Sequence, residues 1–177
     1  QVTFGSESFI DEMAYLAGAD PVAFRLNMLE AGTGDDDGFR RTRSIACVKA
    51  AAEAYGWDTR TSPKAVASDD ILTGRGFAYS YRSQTIAAEI AEVEVNRRTG
   101  KVWVKRIVCA HDCGLVVNPV GLRHTVECAL QYSLSRALHE EVSFDSEKVT
   151  SVDWGSHPSL RHSDTPEKID VILVNGD

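Results

Sequence analysis

The sequence has few of the residues that build disulfide scaffolds or cysteine metal sites. Its 177 residues include four cysteines, Cys47, Cys109, Cys113 and Cys128, too few for a disulfide-rich fold of this length. No C-x-x-C pair is present, and the histidines lack zinc-finger spacing. An iron–sulfur cluster needs four thiolates, usually with three on one loop, whereas Cys47 and Cys128 lie in separate helical patterns. We therefore predict no metal site among these residues.

Long apolar runs and an excess of basic residues are also missing. No run approaches the roughly 20 apolar residues of a membrane span. The net charge of -7 gives no electrostatic footprint for nucleic acid. The opening residues, QVTFGSESF, show no signal-peptide pattern. A composition of 43% hydrophobic and 25% charged residues is that of an ordinary soluble globular domain, for which both cytoplasm and periplasm remain open.

Residues 1–56 are predicted to be a helical segment. In ESFIDEMAYLAG, Phe9, Met13 and Leu16 share one helical face and Gly18 ends the helix. The next helix begins with Asp20 as its N-cap and Pro21 at its first position. The third helix lies within FRRTRSIACVKAAAEAYGW. Its inner side carries Ile45, Val48 and Ala52, and Gly56 ends it. Cys47 is expected to be a small apolar residue near that buried face.

Residues 73–177 change to the two-residue period of β-strands. GRGFAYSYR, TIAAEIAEVEV and KVWVKRIVCA predict three strands, the last two joined by a hairpin at NRRTG. If Val95 pairs with Val102, then Glu94 faces Trp103 and Glu92 faces Lys105. The two carboxylates then form a solvated sheet face with Lys105 as an ion partner. KIDVILV predicts a further strand, and residues 57–72 a connection.

A long helix follows the third strand. Asn118 is predicted to cap it and Pro119 to start it. A continuous i, i+4 stripe supports the helix: Leu122, Val126, Leu130, Leu134 and Leu138. A second line consists of small residues: Gly121, Thr125, Ala129 and Ser133. That line allows either tight packing of the helix on the sheet or close approach of another backbone or a flat ligand.

The elements together predict an α+β fold, a mixed sheet with packed helices. GTGDDDG, residues 32–38, predicts an exposed acidic loop, and the chain stops at NGD, a turn sequence. We therefore interpret residues 1–177 as one incomplete domain.

Two kinds of chemistry remain open from the residues alone. Cys109 or Cys113 could act as a nucleophile with His111, because residues 109, 111 and 113 share a strand face. Arg123 and His124 lie in the first turns of the long helix, where an anion is favoured by free N–H groups and by the helix dipole.

Several segments in order resemble the molybdenum-cofactor-binding large subunit of the xanthine oxidase family, of the isoquinoline 1-oxidoreductase and aldehyde dehydrogenase type. They are ESFIDEMAYLAGADPVAFRLNML, GRGFAYSY, AEIAEVEVNRRTGKVWVKRIVCAHDCGLVVNP, GLRHTVECALQYSLSRALHEEVSFD and LRHSDTPEKIDVILV. They cover nearly the whole chain, and the ordered set is specific although each motif alone is weak.

The resemblance implies part of a molybdenum-cofactor-binding domain in an oxidoreductase. Such enzymes hold molybdenum on a molybdopterin, often as a cytosine dinucleotide. They insert a water-derived oxygen into N-heterocycles or aldehydes and pass electrons to a [2Fe–2S] small subunit. The metal is held by the pterin and not by protein cysteines. The expected partners are the rest of the large subunit and that small subunit, with self-association through cut faces.

The resemblance also implies what the chain lacks. The family's Gly-Gln-Gly loop and its Gly-Glu motif, whose glutamate is the general base, are not in these residues. We therefore assign no catalytic residue and expect the chain alone to be inactive and to bind no molybdenum. The alternative is a non-catalytic scaffold or interaction module of the same fold.

The expected cofactor-binding residues are Gly114, Asn118, Thr125 and Glu127. Thr125 stands where the family commonly has glutamine, and Cys128 and Ala129 stand where it has glycines, whereas Glu127 is kept. Threonine is shorter than glutamine and cannot offer both an amide donor and an acceptor.

Overall fold

The computed structural model describes residues 2–35, 38–64 and 69–174. Three helices come first: α1 (Val2–Leu16), α2 (Pro21–Glu30) and α3 (Arg41–Tyr55). Three strands follow: β1 (Ile71–Arg82), β2 (Thr85–Asn96) and β3 (Val102–Asp112). The chain continues through α4 (Pro119–Leu138), a 3-10 turn (His162–Asp164) and β4 (Lys168–Leu173). The predicted acidic loop lies partly, and the predicted NGD turn wholly, outside the described residues.

The four strands form one mixed sheet in the order β1-β2-β3-β4. β1, β2 and β3 are antiparallel neighbours, and β4 lies parallel to β3. A parallel neighbour requires a crossover, and α4 with the loops after it supplies that connection. The predicted α+β fold with a mixed sheet and packed helices is confirmed.

Helices cover both faces of the sheet. On one face, α2 and α3 pack through Val22, Val48 and Ala51 against Phe77, Ile86, Ile90 and Val108. On the other face, α4 packs through Val126, Leu130 and Leu134 against Val104, Ile107, Cys109 and Val171. Neighbouring side chains of a strand point to opposite faces of the sheet. Val108 of β3 therefore lies in the first core and Cys109 in the second.

The helix boundaries follow the predicted capping signals. Asp20 Oδ1 accepts hydrogen bonds from the N–H groups of Val22 and Ala23, both at 2.9 Å, and Pro21 is the first residue of α2. Gly56 ends α3 in the left-handed conformation with φ +77°. Cys47 is fully buried in α3, as predicted.

The helical face that Phe9, Met13 and Leu16 share is turned outward. Phe9, Met13 and Leu16 are exposed by 61%, 37% and 82%, whereas Glu7 and Ala14 are buried. The physical reason is an ion pair: Arg25 of α2, itself buried, donates to Glu7 Oε2 at 2.9 Å and to Asp11 Oδ1 at 2.8 Å. These contacts turn the acidic side of α1 toward the core and its apolar side outward.

The predicted hairpin register holds at one end only. Val95 pairs with Val102 and Glu94 with Trp103, but Glu92 pairs with Arg106 and not with Lys105. The register shifts between Glu92 and Val93, where Lys105 is the additional residue of a β-bulge. Lys105 instead bonds Glu167 at 2.8 Å and lies 3.7 Å from Glu94.

Candidate functional site

The corner between β3 and α4 is held by a buried carboxylate. Asp112, the last residue of β3, is fully buried. Arg43 of α3 donates to both of its oxygens, from Nε to Oδ2 at 2.9 Å and from Nη2 to Oδ1. The Gly114 N–H donates to Oδ1 at 2.9 Å. Burial alone would raise the pKa of Asp112, but these hydrogen bonds hold it below its ordinary value.

Gly114 is where the chain turns toward the helix. Its φ is +80°, which glycine adopts without steric cost. A Cβ at Gly114 would come no closer than 3.8 Å to the Arg43 guanidinium, so the backbone angle, and not crowding, is what requires glycine. The predicted role of Gly114 in the bend agrees with this geometry.

Asn118 and Thr125 both converge on Gly121. The Asn118 side chain caps α4 by accepting from the Gly121 N–H at 2.9 Å, as the sequence predicted. The Thr125 hydroxyl donates to the Gly121 carbonyl at 2.9 Å. Of the four expected cofactor residues, Asn118 and Thr125 are therefore linked through the backbone of Gly121, in the first turn of α4.

Glu127 lies on a different side of α4. It follows Thr125 by two positions, which turns its side chain by about 200° around the helix. Its carboxylate is 3.2 Å from His124 Nδ1. Thr125 and Glu127 therefore cannot face the same small ligand across α4, although both remain candidate residues.

The small-residue line of α4 faces outward. Thr125, Ala129 and Ser133 are exposed and Gly121 is half-buried, while the sheet is contacted by Val126, Leu130 and Leu134. The interpretation that this line packs against the sheet is therefore wrong. A shallow apolar groove of about 450 Å³ runs along this surface, lined by His124, Thr125, Cys128, Ala129 and Tyr132. We name these five residues the α4 groove.

A larger cavity adjoins the α4 groove through Cys128 and Tyr132. It has a volume of about 650 Å³ and lies between the second half of α4 and the loops around residues 140–160. Trp154, His157 and Leu160 contribute its other wall. The sequence did not predict this wall, because the loop residues carry no motif. A tryptophan within the polar stretch SVDWGSH is a signal that could have indicated it.

The first turns of α4 do not form the anion site considered above. The Arg123 guanidinium donates to the Val171 carbonyl of β4, and the Gly121 N–H is bonded to Asn118. Arg123 thus ties α4 to the sheet edge. His124 is exposed and lies beside Glu127, a carboxylate that would repel an anion.

The structure also contradicts a nucleophilic Cys109. Its side chain is buried in the core under α4, and burial raises the pKa of its thiol far above the ordinary value. Burial likewise lowers the pKa of His111, although Asp112 beside it acts in the opposite direction. Cys113 is exposed, and in the described part of the chain its thiol makes no hydrogen bond to His111.

The α4 groove combines small side chains with two larger rings. Thr125, Cys128 and Ala129 are small, whereas His124 and Tyr132 carry rings. The Thr125 hydroxyl oxygen keeps a free acceptor position. Within residues 2–35, 38–64 and 69–174, no group of three or more His, Cys, Asp or Glu side chains could hold a metal ion. The same part of the chain contains no helix with the length and apolar character needed to cross a membrane.

The fold is an α+β scaffold in which helices pack on both faces of a four-stranded mixed sheet. The chain belongs to the molybdopterin cofactor-binding domain family, whose model matches residues 3–164, within the molybdenum-binding subunits of the xanthine oxidase family. The resemblance drawn from the ordered motifs is thereby confirmed.

Individual relatives match over almost the whole chain. It is 41% identical over 181 aligned residues to a nicotinate dehydrogenase subunit of Pseudomonas putida, covering 97% of this chain and 14% of that protein. It is 32% identical over 179 residues to the beta subunit of isoquinoline 1-oxidoreductase of Brevundimonas diminuta, covering 100% and 21%. The chain thus spans a small part of the length of these relatives.

Among solved structures, the chain is similar to quinoline 2-oxidoreductase from Pseudomonas putida 86. That match has a TM-score of 0.49 at 19% identity and covers 52% of this chain and 12% of the other.

Proposed function

We propose that this chain is part of the large subunit of a molybdenum hydroxylase that oxidises N-heterocycles or aldehydes with oxygen derived from water. The match of the molybdopterin cofactor-binding domain to residues 3–164 supports it. The names of two relatives, a nicotinate dehydrogenase and an isoquinoline oxidoreductase, denote N-heterocyclic compounds. The exposed small-residue surface of α4 is the structural observation that carries the proposal.

The contribution of this chain is to hold one wall of the cofactor site in place. Molybdopterin, as a cytosine dinucleotide in our proposal, supplies the redox metal when bound. Thr125 and Ala129 in the α4 groove would contact its flat ring system. Gly114 and Asn118 would fix where α4 begins, and Glu127 would contact a part of the cofactor other than the part that Thr125 contacts. Residues 1–177 together form one incomplete domain in this proposal.

The proposal includes further polypeptide around the chain. The rest of the large subunit and a [2Fe–2S] small subunit would complete the electron path, and the chain alone would be inactive and would bind no molybdenum. Apolar side chains stay exposed on α1 and near α4: Phe4, Phe9, Leu16, Val117 and Trp154. Exposed apolar patches favour association, so the isolated chain is expected to self-associate.

The test compares cofactor content in the protein as its gene and neighbouring genes encode it. Molybdenum is measured by mass spectrometry and the pterin by fluorescence after oxidation. Ala129→Phe fills the α4 groove and should lower both contents in parallel. Ala46→Phe is the matched control, because Ala46 is also an exposed helical alanine but lies in α3.

Two outcomes would overturn the proposal. One is the absence of molybdenum and pterin from the assembled protein when all subunits are produced together, which would leave a non-catalytic module of the same fold. The other is an equal cofactor content in the Ala129→Phe and Ala46→Phe proteins, which would remove α4 from the site.

A further inference from the structure

The half of the sheet formed by β1 and β2 has two unlike faces. Toward α3, β1 directs large side chains that pack in or against the core: Phe77, Tyr79 and Tyr81. Strand alternation sends the residues between them to the other side, and these are small: Gly74, Gly76, Ala78 and Ser80. The matching positions of β2 are Ala87, Glu89 and Ala91, since Ala78 pairs with Glu89. We name these seven residues the small-residue face.

The described chain leaves this face open at Gly74 and Gly76, whereas its other residues are half-buried. α4 packs over β3 and β4 through residues such as Ile107, Cys109 and Val171. Gly74 and Gly76 are exposed. A Cβ built on Gly76 would meet nothing within 4 Å, and one on Gly74 would meet only the Val93 side chain at 3.6 Å. A backbone could therefore lie directly on these two glycines.

Glu89 is the one charged residue of the small-residue face. It is half-buried, and burial raises the pKa of its carboxyl. Its hydrogen-bond partner is the Cys109 thiol, with Sγ at 4.0 Å from Oε1. Ala78 and Cys109 face it from the neighbouring strands, and no ion pair to Glu89 is present in the described part of the chain. A partly buried carboxylate without a cation is destabilising.

We propose that the small-residue face docks a polypeptide segment from outside residues 1–177, which lays its backbone against Gly74 and Gly76 and pairs an arginine or lysine with Glu89. The inference rests on the proposed function, because that segment belongs to the same large subunit. The segment is expected to be cationic, because its charge must complement that of Glu89. Its expected origin is the remainder of the large subunit, since residues matching this chain make up only 14% and 21% of two relatives. Arginine suits the site best, because its planar fork matches a carboxylate.

Photo-cross-linking in the protein as its gene encodes it tests the docking surface. Thr85, on the same side as Glu89 at the end of the sheet, is replaced by p-benzoylphenylalanine. Lys49, exposed on α3, receives the same label as the control. Irradiation should join the Thr85 position to a peptide outside residues 1–177 that contains Arg or Lys. Glu89→Ala should lower the yield about tenfold, because one partner of a desolvated charge pair is lost, and Glu89→Asp should lower it less.

Several results would overturn the inference. They are cross-links confined to residues 1–177, a cross-link to a second copy or to another subunit, no specific product at all, and equal yields in the Glu89→Ala and parent proteins. Molybdenum and pterin contents measured on the same preparations separate this inference from the proposed function. A protein that contains the cofactor but gives no cross-link would contradict only the docking surface. A protein that gives the cross-link but contains no cofactor would contradict only the proposed function.

Discussion

Arg43 in α3 and Asp112 at the end of β3 form a bidentate ion pair in which the carboxylate is completely buried. The pair joins two elements that are 69 residues apart in the sequence. It also fixes the start of the turn into α4, because the same carboxylate accepts from the Gly114 N–H. The position of the α4 groove therefore depends on a contact made on the opposite side of the sheet.

Removing Arg43 should destabilise the fold strongly. In Arg43→Ala, the buried Asp112 carboxylate loses its cation, and breaking such a pair costs about 3 kcal/mol or more. Urea unfolding followed by circular dichroism measures the loss in the free energy of unfolding. Lys49→Ala is the control, since it removes an exposed pair with Glu30 that is worth about 0–1 kcal/mol. Equal losses in the two variants would contradict a structural role for the buried pair.

Glu89→Gln should stabilise the chain near neutral pH. Burial raises the pKa of the Glu89 carboxyl in the folded state, so folding favours the protonated form. Stability is then greatest below the unfolded pKa of about 4.3 and falls as the pH rises through that value toward the raised folded pKa. The glutamine variant should gain on the parent over this window and keep the gain above it.

The measurement is the free energy of unfolding of both proteins from pH 3.5 to pH 8. Glu53→Gln, at an exposed position of α3, is the matched control and should show no such divergence. A Glu89→Gln protein that is less stable than the parent at pH 8 would show that the charged carboxylate already has a favourable partner.

The four cysteines should separate into two classes on alkylation. Burial raises the pKa of Cys47 to about 12 and raises the pKa of Cys109 further still, while Cys113 and Cys128 are exposed. Only the thiolate reacts, so iodoacetamide at pH 7.5 should label Cys113 and Cys128 in the folded protein. Peptide mapping should find Cys47 and Cys109 labelled only after unfolding. Rapid labelling of Cys109 in the folded state would restore the nucleophile hypothesis.

Thr125→Gln should increase cofactor retention in the assembled protein. The threonine hydroxyl is directed at the Gly121 carbonyl, whereas a glutamine amide is longer and offers both a donor and an acceptor to a pterin edge. The slower loss of molybdenum during dialysis is the readout, with Ser133→Gln as the control further along the same line of α4. If both variants behave as the parent does, Thr125 does not contact the cofactor.

Local signals predicted the helix ends and the hairpin, because their causes lie within a few residues. Asp20 before Pro21, Asn118 before Pro119 and the Val95–Val102 pairing are all decided by neighbouring backbone groups. The bulge at Lys105 could not be predicted, since its partner Glu167 is 62 residues away. The outward direction of the apolar face of α1 has the same origin, because it depends on Arg25 in another helix.

The residues of the candidate site also fall into two groups, those that local signals predicted and those that depend on long-range contacts. Gly114 and Asn118 were found because turn and cap chemistry is local. The Arg43–Asp112 pair, the use of Arg123 to tie α4 to β4, and the wall formed by Trp154 are long-range contacts with no spacing rule. The outward direction of the Thr125 line could not be decided either, because α4 carries apolar and small stripes side by side and only the packed sheet selects between them.

The unlike faces of β1 place two separate constraints on one strand. Odd positions such as Phe77 and Tyr79 fill space, so truncating them leaves a cavity in any form of the protein. Even positions such as Gly76 and Ala78 keep space free, so enlarging them should be tolerated by the chain alone. A saturation scan of β1 would therefore show sensitivity at every second residue in the isolated chain and at every residue wherever the open side of the sheet is occupied.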